Sequence, residues 1–117
     1  MKTKSGLEAV LKLAGKVAVV LENVAPGVAE RLGLGAEALR ATNPRLIYCS
    51  VSGYGQDGPY RDVKAYDMLI QGEAGMIATT GYPDAPAKIG IPMTDLASSM
   101  YAAVGILLAL YQREKTG

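Results

Sequence analysis

Apolar residues recur at helical spacing near the start of the chain, at Leu7, Val10, Leu11 and Ala14, and Gly15 follows. The spacing predicts a first helix, with Ser5 as its cap and Glu8 at the third helical position completing a capping box. The pattern then changes. Residues 17–21 (VAVVL) are a β-branched run without polar alternation, as expected of a strand buried on both faces. Residues 46–51 (LIYCSV) form a second such run. Between them, Pro26 opens a short helix over 27–32 that stops at Gly33, and residues 36–41 form another that Asn43-Pro44 closes.

Beyond the second strand, SGYGQDGPYRD is rich in turn residues and reads as a loop. Residues 66–74 are predicted helical, with Met68, Leu69 and Ile70 as their apolar positions. Asp67 and Glu73 share that helix on different faces, so they make no acid/base pair. The two Gly and three Pro of residues 79–92 exclude one regular element there. Residues 96–112 then carry no charge and predict a long helix running to about Lys115, with Thr116-Gly117 as its stop. An uncharged run of that length lies at the lower limit of a membrane span, and a buried core helix is the better reading. Its small residues Ala97, Ala102, Ala103, Gly105 and Ala109 admit a close helical neighbour.

These elements describe one α/β domain over residues 1–117. Its fold class is a partial Rossmann-like parallel sheet with flanking helices and a long apolar C-terminal helix. Two strands are too few for a complete doubly wound domain, so the chain reads as part of a larger sheet.

Composition narrows the chemistry. Half the residues are apolar, but there is no Trp or Phe, so aliphatic side chains must do most of the packing. Twelve basic and eleven acidic residues without a basic run argue against nucleic acid as a partner. The single Cys49 lies in an apolar run, reads as inert packing and fits a reducing, cytoplasmic setting. With no His and one Cys, His-dependent triads and zinc centres built on those ligands are excluded, and no metal is expected. The N-terminal segment has no clean apolar stretch or cleavage site and predicts no signal peptide.

Gly53, Gly55 and Gly58 spell G-x-G-x-x-G after a strand, but Pro59-Tyr60-Arg61-Asp62 follows where a phosphate-binding helix would have to begin. A dinucleotide site is therefore not expected there. A tight loop, or a loop bordering another ligand, remains. Asp95 is the one acid at the entrance to the long apolar helix, and read alone it is a helix cap.

Five strings occur in order: LENVAPGVAERLGL, NPRLIYCSVSGYGQDGPYRD, KAYDMLIQGEAGM, TTGYPDAPAKIG and TDLASSMYAAVGILLALYQREKTG. Together they closely resemble the class III CoA-transferases, the family of formyl-CoA transferase, carnitine CoA-transferase and the acyl-CoA racemases. The resemblance covers almost the whole chain and implies an internal piece of that family's large domain, a truncated transferase. It implies acyl-CoA and a small carboxylic acid as partners, CoA as the carried group, an interlocked homo-oligomer, and no membrane.

In that family a carboxylate attacks the thioester, a mixed anhydride forms, and returning CoA thiolate gives an aspartyl-CoA thioester. Asp95 matches that nucleophile. Asn23 matches a residue beside the pantetheine arm, Arg31 one near the CoA phosphates, and Lys64 and Tyr66 positions lining the CoA site. Read without the family, Asn23 caps the turn at Pro26, Arg31 and Lys64 are solvated charges, and Tyr66 is a core or interface ring. The racemases place a His at the position of Tyr66, so the absence of His favours transferase over racemase. Val24 stands where the family has an aromatic, and Ala25 where it often has a basic or polar residue. The family's N-terminal CoA-binding loop and its downstream glycine-rich loop find no match here. That leaves a rival reading in another class, a non-catalytic, self-associating fragment with weak or no CoA binding.

Overall fold

The structure is a computed structural model and describes residues 3–116. Helix α1 spans Lys4–Ala14. Its cap is Thr3, whose hydroxyl oxygen accepts the Gly6 N–H at 3.3 Å. The expected cap, Ser5, lies inside the first turn instead. A hydroxyl two residues earlier reaches the free amides first, and the capping box with Glu8 is not needed.

Strands β1 (Val19–Glu22) and β2 (Ile47–Ser50) pair in parallel, with Val19 opposite Ile47 and Glu22 opposite Ser50. The crossover between them carries helices α2 (Val28–Arg31) and α3 (Ala36–Thr42). Ala14, Leu34, Leu39 and Leu46 form the core, with Val10, Leu11, Val20 and Tyr48 against them. The Asn43 side-chain amide seals the end of this layer by donating to the Ala14 and Val17 carbonyls at 3.1 and 3.0 Å.

Burial of both strand faces, expected from the β-branched runs, is not what the structure shows. The core covers one face, and Leu21 on β1 is exposed. On the other face the C-terminal helix crosses β2 but does not close over Leu21, which borders an open cleft instead.

Helix α4 (Asp67–Glu73) follows the glycine-rich loop, and a short hairpin, β3 (Gly81–Tyr82) with β4 (Ala85–Pro86), fills the Pro-rich stretch. Helix α5 (Met93–Thr116) has 24 residues, about 36 Å in length. The expected stop at Gly117 lies outside the described residues.

The expectation of a buried core helix fails for α5, which contains no buried residue. It is long and apolar enough, by length and composition, to cross a membrane. It crosses β2 and α4 with one face, and its far end is tied down by the Arg113 guanidinium donating to the Arg45 carbonyl at 2.9 Å. The opposite face presents Met100, Tyr101, Val104, Leu107, Leu108 and Tyr111 at three- and four-residue spacing, all exposed.

So small a core makes each member count. Leu39→Ala should cost about 2–5 kcal/mol in urea unfolding, as a large-to-small change at a fully buried site. Leu108→Ala on the open stripe of α5 should cost less than about 0.5 kcal/mol when the chain is measured as a dilute monomer.

Candidate active site

The C-terminal ends of β1 and β2, the loop after β2 and the first turns of α4 and α5 enclose a cleft of about 570 Å³. Openings beyond the carboxyl ends of parallel strands are where α/β proteins place ligands, and this volume is within the range of small-molecule sites. Leu21, Val51, Ile70 and Ile106 supply apolar wall, and Asn23, Ser52, Tyr66, Thr94 and Asp95 supply polar groups. Gly53 is obligatory in this wall, because a methyl group there would overlap Ala65.

Glu22 fixes the strand ends that present Asn23. One carboxylate oxygen accepts the Val24 N–H at 2.8 Å, and the other accepts the Ser50 hydroxyl. Gln56 then donates to the Ser50 oxygen at 2.6 Å, tying in the glycine-rich loop.

The entrance to α5 departs from expectation. The helix begins at Met93, so Asp95 is its third residue and not its cap. Each of the first amides has another acceptor. Met93 N–H donates to the Ile91 carbonyl at 2.8 Å, and Leu96 N–H donates to the Pro92 carbonyl at 3.0 Å. Thr94 N–H donates to Asp67 Oδ1 at 2.9 Å, the Thr94 hydroxyl donates to the same oxygen at 2.7 Å, and the Asp95 N–H also turns to this carboxylate. Asp67, 27 residues away in sequence, therefore caps α5.

Asp67 is steadied by Gln71, one helical turn on, whose amide donates to Asp67 Oδ2 at 2.7 Å. Gln71 is fully buried. Its oxygen accepts the Ile89 N–H at 2.9 Å and its nitrogen also donates to the Ile91 carbonyl at 3.3 Å, so it shapes the strap leading into α5. Burial on α4 thus does not follow its apolar residues. Met68 and Leu69 are exposed, because the helix turns its Asp67 and Gln71 edge inward to satisfy backbone groups.

Desolvation pushes the Asp67 carboxyl up, but hydrogen bonds from Thr94, Gln71 and the Asp95 N–H outweigh it and hold the group below its ordinary value of 3.8. Asp95 differs. It is exposed, and its side-chain oxygens accept no hydrogen bond among the described residues. Ser98 and Ser99, which follow it on the cleft face, turn their hydroxyls back to the Thr94 and Asp95 carbonyls, both at 2.8 Å.

Of the residues singled out by sequence, the cleft brings together Asp95, Asn23 and Tyr66. Lys64 is exposed and not part of the cleft wall, and Arg31 lies beside Gly27 instead. Sequence reasoning missed Asp67, Gln71 and Glu22. The only signal for the first two was their four-residue spacing on a short helix, which apolar periodicity does not weigh.

The whole chain, residues 1–117, matches CoA-transferase family III. It is 42% identical over 117 residues to a formyl-CoA:oxalate CoA-transferase of Streptomyces avermitilis, covering 99% of this chain and 28% of that protein. It is 44% identical over 118 residues to a succinyl-CoA–D-citramalate CoA-transferase of Chloroflexus aurantiacus, covering 100% of this chain and 29% of the relative. A crystal structure of a CaiB/BaiF family protein from Brucella suis superposes with a TM-score of 0.96 at 42% identity, over 99% of this chain and 31% of that one. The chain thus spans under a third of the length of the relatives it matches.

The lowered Asp67 carboxyl gives a signed expectation. Its stabilising effect is complete above the ordinary aspartate range and is lost as pH falls through that range towards the depressed folded value. Urea midpoints followed from about pH 6 to about pH 3 should fall. Asp67→Asn should start lower and lose that part of the slope, and an unchanged slope would remove Asp67 as the titrating cap.

Proposed function

The chain belongs to CoA-transferase family III, and on that premise we propose that it bears the nucleophile of an acyl-CoA:carboxylate CoA-transferase, with Asp95 as the attacking group. The observation carrying this reading is the Asp95 carboxylate itself, exposed in the cleft and accepting no hydrogen bond from the described residues. An ionised carboxylate is a competent covalent nucleophile.

An Asp95 oxygen adds to the thioester carbonyl and the C–S bond breaks, leaving a mixed anhydride and CoA thiolate. The thiolate adds to the Asp95 carbonyl carbon, the donor carboxylate departs, and an aspartyl-CoA thioester remains. The acceptor carboxylate then attacks that carbon and releases thiolate. Thiolate returns to the acceptor's acyl carbon, which regenerates Asp95. Every nucleophile is already an anion and every leaving group departs as one. No proton need be moved, which suits a site in a chain without His.

Asn23 and Tyr66, whose side chains line the same cleft, are proposed to orient the thioester and its pantetheine arm. Arg31 and Lys64 are proposed to meet the nucleotide end, with the acyl donor and a small carboxylic acid as substrates and no metal required. The parallel pair is taken as part of a Rossmann-like sheet, and the single reduced Cys49 suits the cytoplasm.

The open stripe on α5 favours coverage by protein, because the opposite face of the same helix carries Asp95, Ser98 and Ser99 into the wall of the cleft. We assign that cover to further copies of the chain. Light scattering at micromolar concentration should report an oligomer, and Leu107→Glu should shift it to monomer. A monomeric wild type would count against this assignment.

For the chemistry, hydroxylamine should trap the Asp95 thioester after incubation with acyl-CoA. Asp95→Asn should abolish the adduct and lower exchange by roughly three orders of magnitude or more, with the circular dichroism spectrum unchanged. A trapped adduct that survives Asp95→Asn would remove Asp95 as nucleophile. No adduct in wild type would favour the non-catalytic reading.

A further inference from the structure

The Asn23 side chain lines the Asp95 cleft and makes no hydrogen bond to a described residue, yet the backbone on either side of it is tied down. Both ties belong to Glu22. Its carbonyl accepts the Val51 N–H at 2.9 Å, and its carboxylate accepts the Val24 N–H at 2.8 Å. The second carboxylate oxygen accepts the Ser50 hydroxyl, and the Ser50 oxygen accepts from Gln56 Nε2 at 2.6 Å. Glu22, Ser50 and Gln56 all lie outside the wall of the cleft.

Gln56 belongs to the loop after β2, and that loop does reach the cleft, through Ser52 and Gly53. The Ser52 hydroxyl oxygen accepts the Gly55 N–H at 3.1 Å, which closes a turn between the wall and Gln56. On its other side the Tyr54 hydroxyl donates to Glu73 Oε2 on α4 at 2.8 Å. The loop therefore joins the end of β1 to α4, with one carboxylate holding each end. A carboxylate that accepts from a backbone amide and a hydroxyl at once fixes both donors, and its charge strengthens each bond. An unengaged side-chain amide binds a ligand more tightly when its backbone is already held, because less freedom is lost on binding. The amides of a pantetheine arm are groups that such a side chain can pair with.

We propose that Glu22 is a positioning residue: through Ser50 and Gln56 it locks the loop after β2 to the backbone that presents Asn23. The Asn23 amide is thereby held in register against the Ser52-Gly53 wall for the pantetheine arm of a CoA thioester. The identity of the ligand rests on the function proposed above, whereas the lock does not. Glu22 itself touches no ligand and acts through Asn23.

The test uses Ser50→Ala in the full chain, which removes the middle link without altering charge or the cleft wall. Amide exchange followed residue by residue without ligand should quicken about tenfold or more at Val24 and Gly55, and stay within about twofold at Leu39 in α3. Calorimetric titration should show CoA binding weakened about fivefold or more. Gln56→Leu and Glu22→Gln should act alike, the latter because its amide keeps one acceptor oxygen of two. Ser50→Thr, which retains the hydroxyl, should recover most of the loss. In an Asn23→Ala background, Ser50→Ala should weaken CoA less than about twofold further, because its effect passes through Asn23. Equal weakening in both backgrounds is the result of a merely structural hydroxyl and would overturn the proposal. So would unchanged exchange at Val24 and Gly55, or quickened exchange with wild-type affinity for CoA. Quickened exchange in a chain whose wild type binds no CoA would retain the lock and remove the CoA reading.

Discussion

The capping of α5 by Asp67 is the contact on which the site depends. A helix of 24 residues presents unpaired amides at its start, and these must find acceptors. In most helices the nearest short polar side chain answers them, and here that residue would be Asp95 or Thr94. Asp67 answers them from another helix, through the Thr94 N–H, the Thr94 hydroxyl and the Asp95 N–H. One carboxylate thereby joins α4 to α5 and fixes the start of the long helix against the cleft. Gln71, buried behind it, makes the joint specific by binding the strap that precedes α5.

A second consequence is chemical. A carboxylate that accepts several backbone amides is stabilised as an anion, and its lone pairs are engaged. Asp67 occupies the amides and is half-buried among its donors, whereas Asp95 is exposed and its side-chain oxygens accept no hydrogen bond among the described residues. The two neighbouring acids thus stand in different environments, and the role proposed for Asp95 rests on that difference.

Much of the fold was legible in the sequence, because its elements are local. The β-branched runs, the proline boundaries and the long uncharged stretch each produced an element within a few residues of its expected position. Asp95, Asn23 and Tyr66 were legible through the ordered family strings, and the cleft does gather them. What sequence did not reveal depends on contacts between distant segments. The sequence marked Met68, Leu69 and Ile70 as the apolar positions of α4 and no face for them, whereas Gln71 occupies the interior because the strap at residues 89–91 offers backbone groups that need it. Thr3 displaced Ser5 as a cap for a local reason instead, since any suitable hydroxyl near the terminus can serve. Arg61 reads as one charge in a turn until the fold brings it to Gly27 beside Arg31.

The two faces of α5 connect these local facts to the unburied apolar surface. From Asp95 through Ser98, Ser99, Ala102 and Ile106, one face lines the cleft with small and polar groups. From Met100 to Tyr111, the other carries large apolar side chains left in solvent. A stripe of that size on a helix anchored at both ends, by Asp67 and by Arg113, cannot turn inward to hide itself. Rotation would take Asp95 out of the cleft and break the cap at Thr94. The fold therefore keeps Asp95 in register with the cleft and leaves the stripe outward in water. The association and the chemistry proposed for this chain both depend in this way on a single helical phase, fixed at Asp67.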